Sequence, residues 1–379
     1  MPRENGRLFP LSEYAPRLLA WYEDHGRDLP WRVKGGPHPD PYIVWVSEIM
    51  LQQTTVAAVV PYFQRFMERF PDLAALAAAL PEDVLVVWQG LGYYRRAHQL
   101  HACAQRLWEQ HGGIFPRPLR PDDLCELPGI GAYTAASIAA LAFDMPAAVV
   151  DGNVARILSR LYCVGVPLAT VKDRVAAWAR ELLPEEGFAD YTSAIMDLGA
   201  VVCRPQNPLC SECPWRDGCG AWARGESDRF PVKQRREKPG YAGIVYWLED
   251  ESGRVFVRRR TEGGLLRGLS EFPWVKSAGE LAGAVVDGVA ADSVSTAKMA
   301  KICWEETGRS VRHTFTHFHL TLRILRGSIS SCVLADNSGL VELSSGLLSD
   351  GSFVPVSEFP RYPFSNLMRK VIDEMGCGM

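Results

Sequence analysis

The 379-residue sequence has no run of about 20 consecutive apolar residues, the length a bilayer-spanning helix needs, so no membrane role is expected. Its opening residues, Met1-Pro2-Arg3-Glu4-Asn5-Gly6-Arg7, lack the charged-then-apolar order of a signal peptide, and a cytoplasmic location is the expectation. An excess of positive charge is also missing. Basic residues number 41 against 44 acidic, with 22 against 27 up to Arg229 and 19 against 17 after it. Net charge therefore announces no nucleic-acid partner, and any attraction for phosphates must be local. With 47% hydrophobic and 22% charged residues the chain can bury a real core. Its length suggests two to three domains.

Ten cysteines are present, but they are not spread as a disulfide framework would be. Six are scattered singly. Cys203, Cys210, Cys213 and Cys219 fall within 17 residues as C-x6-C-x2-C-x5-C. Thiolates this crowded repel one another unless a cation holds them, so metal ligation is the favoured reading. Four sulfurs suit tetrahedral zinc or a [4Fe–4S] cluster. Structural zinc usually takes two short Cys pairs where this loop has one, and Pro205, Pro208 and Pro214 stiffen wide loops, so iron–sulfur is preferred.

Up to about residue 225 the apolar spacing is helical: Leu18, Leu19 and Tyr22 form one stripe, and Ile49, Val56, Val59, Val60 and Phe63 mark others. From Arg229 to Lys238 five basic residues and one acidic form a solvated linker. After Tyr241 the period becomes two. Phe318, Leu320, Leu322 and Ile324 alternate with His317, His319, Thr321 and Arg323, which predicts a half-buried strand with His317 on its polar face. The second half is thus a separate α/β domain.

Three constellations carry chemistry. Leu127-Pro128-Gly129-Ile130-Gly131-Ala132-Tyr133 is a tight turn before an Ala-rich helix. Its glycines allow close backbone approach, and the N–H groups at the helix start form an anion site that holds a phosphate without lysines. Asp151, with Asn153 two residues on, stands before the helix marked by Val154, Ile157, Leu158 and Leu161. An N-cap alone accounts for Asp151, but a helix N-terminus also stabilises an ionised carboxylate, so capping and catalysis are compatible. Glu48 is the only charge between Val44 and Thr54. Burial there raises its pKa and leaves it able to act as an acid, whereas a place on a wet helix face does not. A raised-pKa acid paired with an ionised carboxylate is the layout for cleaving a glycosidic bond through an oxocarbenium-like state.

These segments and the four cysteines resemble the helix-hairpin-helix DNA glycosylase superfamily, most closely its MutY-type adenine DNA glycosylases, over nearly the whole chain. The resemblance implies a multidomain fold: an all-α helix-hairpin-helix glycosylase with an iron–sulfur cluster over 1–225, its six-helix module at about 36–145 inserted in the iron–sulfur module. A linker over 226–240 and an α/β Nudix-like lesion-recognition domain over 241–379 follow. It further implies a monomeric base-excision enzyme of the bacterial cytoplasm, associated with the nucleoid. That enzyme releases adenine paired with 8-oxoguanine or guanine from duplex DNA, extruding the base from the helix.

In that scheme Glu48 protonates the adenine at N7, Asp151 stabilises the cationic sugar, and Asn153 and Tyr133 position Asp151 and the sugar. Trp31 and Arg32 line the base pocket. Gln53, Thr54 and Tyr93 contact the duplex near the lesion pair, and the backbone at Gly129 and Gly131 holds phosphate. Phe315-Thr316-His317 matches the family's Phe-Ser-His segment for 8-oxoguanine, with Thr in place of Ser. Ser270 replaces an aromatic in Gly268-Leu269-Ser270-Glu271-Phe272-Pro273, and Ser193 stands where relatives carry Gln or Glu.

Two other activities are weighed. Endonuclease III-type glycosylase/lyases carry a lysine nucleophile where this chain has Tyr133, and they lack the glutamate at position 48; without an amine no Schiff base forms. A Nudix diphosphohydrolase needs a glutamate-rich helix for magnesium, yet residues 279–291 offer only Glu280 and Asp287, and Glu305-Glu306-Thr307-Gly308 is isolated. A catalytically dead DNA-binding module is expected to lack Glu48 or Asp151, and both are present.

Overall fold

Residues 10–33, 38–232, 238–261, 265–280, 303–329 and 351–378 are described by the structure, a computed structural model. They fall into two compact units, Met1–Ala79 with His98–Arg235, and Leu80–Ala97 with Arg236–Met379. No helix of the described residues is long and apolar enough to cross a membrane.

The helices in chain order are α1 (Tyr14–His25), α2 (Pro41–Leu51), α3 (Val56–Arg69), α4 (Leu73–Ala78), α5 (Pro81–Trp88), α6 (Arg95–His111), α7 (Ala132–Phe143), α8 (Gly152–Leu161), α9 (Lys172–Glu181), α10 (Phe188–Asp197), α11 (Gly220–Ala223) and α12 (Asn366–Glu374). In the first unit α2 starts cleanly because Asp40 caps it, accepting from the Tyr42 N–H at 2.8 Å, with Pro41 in the first turn. Before α7 the chain makes a 3-10 turn (Pro121–Glu126) and then the glycine hairpin. Gly129 has φ +76°, and a Cβ there would lie 2.7 Å from Gln99 Cβ, so only glycine fits. The core of this unit gathers Tyr14, Leu18 and Tyr22 of α1 with Val154, Ile157, Leu158 and Leu161 of α8 and Tyr191 and Ile195 of α10.

The second unit is built on a mixed sheet in which β1 (Gly240–Asp250) pairs in parallel with β6 (His319–Ile329). Antiparallel partners are β2 (Val255–Arg259), β3 (Ser270–Glu271), β4 (Trp274–Glu280), β5 (Cys303–Thr314) and β7 (Gly351–Val354). Leu320, Leu322 and Ile324 point inward from β6 against Leu367, Met368, Val371 and Ile372 of α12. Residues 80–97 group with this sheet through hydrogen bonds: Gln89 Nε2 donates to the Tyr362 carbonyl at 3.1 Å and Tyr94 OH to the Phe364 carbonyl at 3.3 Å.

Two local expectations are corrected. His317 is not on a strand: β5 ends at Thr314 and β6 begins at His319, and the Phe315 N–H donates to the Phe318 carbonyl at 2.8 Å across a turn. The alternation from Leu320 onward is real, but the turn closes before it can extend back to His317. The linker, in turn, does not begin in solvent. Phe230 is buried, and the carbonyls of Ser227 and Phe230 both accept from the Arg160 guanidinium. One buried arginine and one aromatic hold this end down, although the local composition is polar. Residues 233–237 lie outside the described residues.

Candidate active site and cysteine loop

Glu48 is set by the composition of its own helix. Tyr42, Val44, Trp45, Val46, Ser47, Ile49 and Met50 of α2 are also buried, so this part of the helix has no wet face. Glu48 is itself 4% exposed. Tyr133 OH, from the first turn of α7, donates to Glu48 Oε2 at 3.0 Å. Desolvation pushes the Glu48 carboxyl above its ordinary range. Ser137, Tyr133 and Arg32 draw it down and the Asp151 charge adds to the rise, with burial winning. Ser137, one turn beyond Tyr133 on the same face of α7, is fully buried, and its Oγ completes no hydrogen bond of good geometry.

Asp151 is the N-cap of α8, accepting from the Val154 N–H at 2.7 Å through Oδ1. Its other oxygen accepts from Asn153 Nδ2 at 2.8 Å. The series continues inward: Arg156 Nη2 donates to Asn153 Oδ1 and to the Gly199 carbonyl, both at 2.8 Å, and Arg156 Nε donates to the Cys203 carbonyl at 2.8 Å. Asn153 is thus hydrogen-bonded to Asp151 on one side and to Arg156 on the other. The Tyr133 hydroxyl is instead committed to Glu48.

Both carboxyl groups line one cavity of about 1070 Å³. Trp31, Arg32, Gln53, Thr54, Gly131, Tyr133, Asn153 and Ser193 line it with them. Trp31 sits edge-on to Phe63 with ring centres 5.2 Å apart. Gln53 lies just past α2 with φ +59°, exposed at the end of the helix. The sequence reading missed Arg27, Ser137, Arg156 and Asp197. Nothing local marks them, since each is recognisable only by partners far away in the chain.

The remaining expected residues lie elsewhere. Gly129 is in the hairpin behind Gly131 and outside the cavity wall. Tyr93, Phe315, Thr316 and His317 belong to the second unit. There Thr316 Oγ1 donates to Tyr93 OH at 3.3 Å, joining two residues singled out separately. Thr316 and His317 are exposed, whereas Phe315 is half-buried against His313 and Phe318. Ser270 is buried, and its N–H donates to the Pro363 carbonyl. Glu271 beside it is consumed by Arg258, Arg260 and Trp274, with bonds of 2.9–3.0 Å, and has no capacity left for a cation. Glu280 belongs to a strand, and residues 281–291 lie outside the described residues.

The cysteine loop is anchored on α1, where Trp215 Nε1 donates to the Tyr14 carbonyl at 2.8 Å and Tyr14 OH to the Gly218 carbonyl at 3.0 Å. Burial pushes the Cys213 thiol up to about 12 and the Cys219 thiol up to about 11, and the mutual charges of the four sulfurs add to this. Bare thiolates are thus disfavoured here, and a cation must replace the protons. Arg160 Nη1 donates to Cys203 Sγ at 3.2 Å. Among the described residues no three ligand-type groups gather tightly enough for a single metal ion. Four cysteine sulfurs whose charges act on one another are an all-thiolate donor set that suits a [4Fe–4S] cluster. Cys203, Cys210, Cys213 and Cys219 are the residues that would hold a [4Fe–4S] cluster, which would cross-link four points of this loop.

Comparison with known proteins matches three stretches of the chain. Residues 46–177 match the HhH-GPD superfamily of base excision DNA repair proteins, 203–219 the iron-sulfur binding domain of endonuclease III, and 244–374 a NUDIX domain. The adenine DNA glycosylase of Mus musculus is 44% identical, over 70% of this chain and 61% of its own length. The chain thus spans under two thirds of that relative. The adenine DNA glycosylase of Buchnera aphidicola subsp. Acyrthosiphon pisum is 33% identical, over 70% of this chain and 75% of its own length. Among solved structures, a thermostable thymine-DNA glycosylase matches with a TM-score of 0.50 and 26% identity, over 56% of this chain and 97% of that one.

Proposed function

The chain belongs to the adenine DNA glycosylase family, and from that premise we propose that it binds duplex DNA and hydrolyses the N-glycosidic bond of adenine paired with 8-oxoguanine or guanine. The observation that carries the reading is the placement of Glu48 and Asp151 in one cavity with opposite surroundings. Glu48, nearly buried and with its carboxyl pushed above the ordinary range, delivers a proton to adenine N7, so that the base leaves neutral. Asp151, capping α8 and gripped by Asn153, faces the same cavity and stabilises the positive charge that grows on the sugar. Tyr133 keeps the Glu48 carboxyl aimed. With a phenol and not an amine at position 133, no Schiff base forms and the strand is not nicked. A neutral adenine enters the cavity after extrusion, at a cost of a few kcal/mol.

Trp31 and Arg32 wall the base pocket, Gln53 and Thr54 meet the duplex at the rim, and the Gly129–Gly131 hairpin offers backbone N–H groups to phosphate. That arrangement needs no excess of lysine, which reconciles DNA binding with a net charge of −3. Thr316, His317 and Tyr93 form the surface that reads 8-oxoguanine. The chain acts as a monomer.

The test is a single-turnover assay on duplexes carrying adenine opposite 8-oxoguanine, guanine or cytosine, with and without alkali. Strand breaks should appear only after alkali, fastest opposite 8-oxoguanine; breaks without alkali would instead mark a lyase. His317→Ala should lower the preference for 8-oxoguanine over guanine by about 10-fold, the worth of one lost polar contact of about 1.4 kcal/mol. Unchanged discrimination would place the reading surface elsewhere.

Gly199→Ala probes the support of Asp151. A Cβ at position 199 would lie 2.6 Å from Asn153 Cβ. Asn153 must then move and carry Asp151 with it, and base release is expected to fall about 100-fold. A wild-type rate in this variant would show that Asn153 does not set the geometry of Asp151.

A further inference from the structure

Asp197, the last residue of α10, is completely buried. A carboxylate without water is costly unless its lone pairs are met, and here four donors meet them. Arg27 Nε and Nη2 approach Oδ1 at 2.8 and 2.7 Å. The Arg27 N–H and Arg32 Nη1 reach Oδ2, both at 2.8 Å. These charges outweigh the upward push of burial and hold the Asp197 carboxyl below the usual carboxylate range. A residue with no exposure to the cavity thus carries the strongest polar cluster beside it.

The segment it grips is held otherwise by the packing of Leu29 and Trp31 and by few backbone bonds. Residues 26–33 form no helix or strand, and their backbone bonds include Gly26 N–H to the Tyr22 carbonyl and Arg32 N–H to the Leu29 carbonyl. Yet this segment supplies Arg27, Leu29, Trp31, Arg32 and Val33 to the cavity wall. Directly after Asp197 the chain widens into a π-turn, Leu198–Val202. Such turns shift the register of a helix by one residue and recur at functional sites. This one turns the Asp197 side chain toward Arg27 and Arg32, and two residues on gives the Gly199 carbonyl to Arg156. One helix end therefore ties down both walls of the cavity.

We propose that Asp197 is a positioning residue for base excision: it clamps residues 26–33 so that Arg27, Trp31 and Arg32 form a fixed wall against the extruded base. The inference rests on the reading of this cavity as the base pocket. The clamp consumes two guanidinium donors of Arg27 and one of Arg32. Their remaining donors make no hydrogen bond among the described residues. A guanidinium has only donors, so this wall suits a base edge that presents acceptors.

Asp197→Asn keeps the shape and removes the charge. Base release at saturating enzyme is expected to fall about 100-fold, as for a displaced positioning group. Binding to an adenine-free duplex should stay unchanged, and amide hydrogen exchange should rise selectively in residues 26–33. Arg27→Met approaches the same clamp from its more exposed side and keeps the test open should the Asn variant fold poorly. It should show the same local exchange increase and a smaller rate loss. Wild-type base release together with wild-type exchange at residues 26–33 in both variants would overturn the clamp. Unmodified protein that releases no adenine would instead overturn the base-excision reading, and the exchange measurement would still decide whether Asp197 holds the segment.

Discussion

Glu48→Gln is expected to lower adenine release by about 10²- to 10⁴-fold, the usual worth of a positioned general acid, while binding to the same duplex persists. Glutamine fills the same space and can still accept the Tyr133 hydroxyl, so packing is preserved and only the proton is lost. The variant should also reveal the sign of the burial effect. A carboxyl whose folded pKa is raised contributes stability at low pH, below its unfolded pKa, and that contribution is lost as pH rises through the folded pKa. Glutamine has no such loss. The Glu48→Gln protein should therefore melt higher than the unmodified protein at alkaline pH, with the advantage shrinking toward acid. Retained turnover would remove Glu48 from the mechanism, and a melting difference independent of pH would mean that its carboxyl is solvated.

Asp151→Asn separates capping from catalysis. Asparagine is as good an N-cap as aspartate, so the bond from the Val154 N–H survives and stability should change by well under 1 kcal/mol. What disappears is the negative charge facing the sugar, together with the acceptor for Asn153 Nδ2. Loss of one pre-organised electrostatic contact typically costs about 10²- to 10³-fold in rate, and a loss of that size is expected here. Asp151→Ala should add a stability loss of about 1 kcal/mol from the missing cap. If the Asn variant turns over like the unmodified protein, Asp151 is a cap and nothing more.

The parts of the site legible in the sequence were those written in local pattern. An isolated glutamate in an apolar helix, a carboxylate just ahead of an amphipathic helix, two glycines after a proline and four close cysteines each declare their surroundings within a few residues. The Tyr133–Glu48 bond joins residues 85 apart and the Asp197–Arg27 pair residues 170 apart, and neither has a local sign. Asp197 in particular reads as one more polar residue on α10, because burial depends on a partner segment with no periodicity of its own. The same limit applies to Leu80–Ala97, whose helical spacing says nothing of the strands with which it groups. His317 shows the opposite error. A strong alternation over β6 invites extension by two residues, but the Phe315–Phe318 bond turns the chain first.

The central claim is that Glu48 and Asp151 share one cavity and that burial raises the Glu48 carboxyl so that it serves as the acid. The most direct measurement is a ¹³C carboxyl titration of protein labelled at glutamate, with the Glu48 signal identified by its absence in Glu48→Gln. The account predicts that this carboxyl titrates above the range of the other glutamates and moves higher still when an adenine-containing duplex excludes the last water. A Glu48 signal titrating with the exposed glutamates would contradict it.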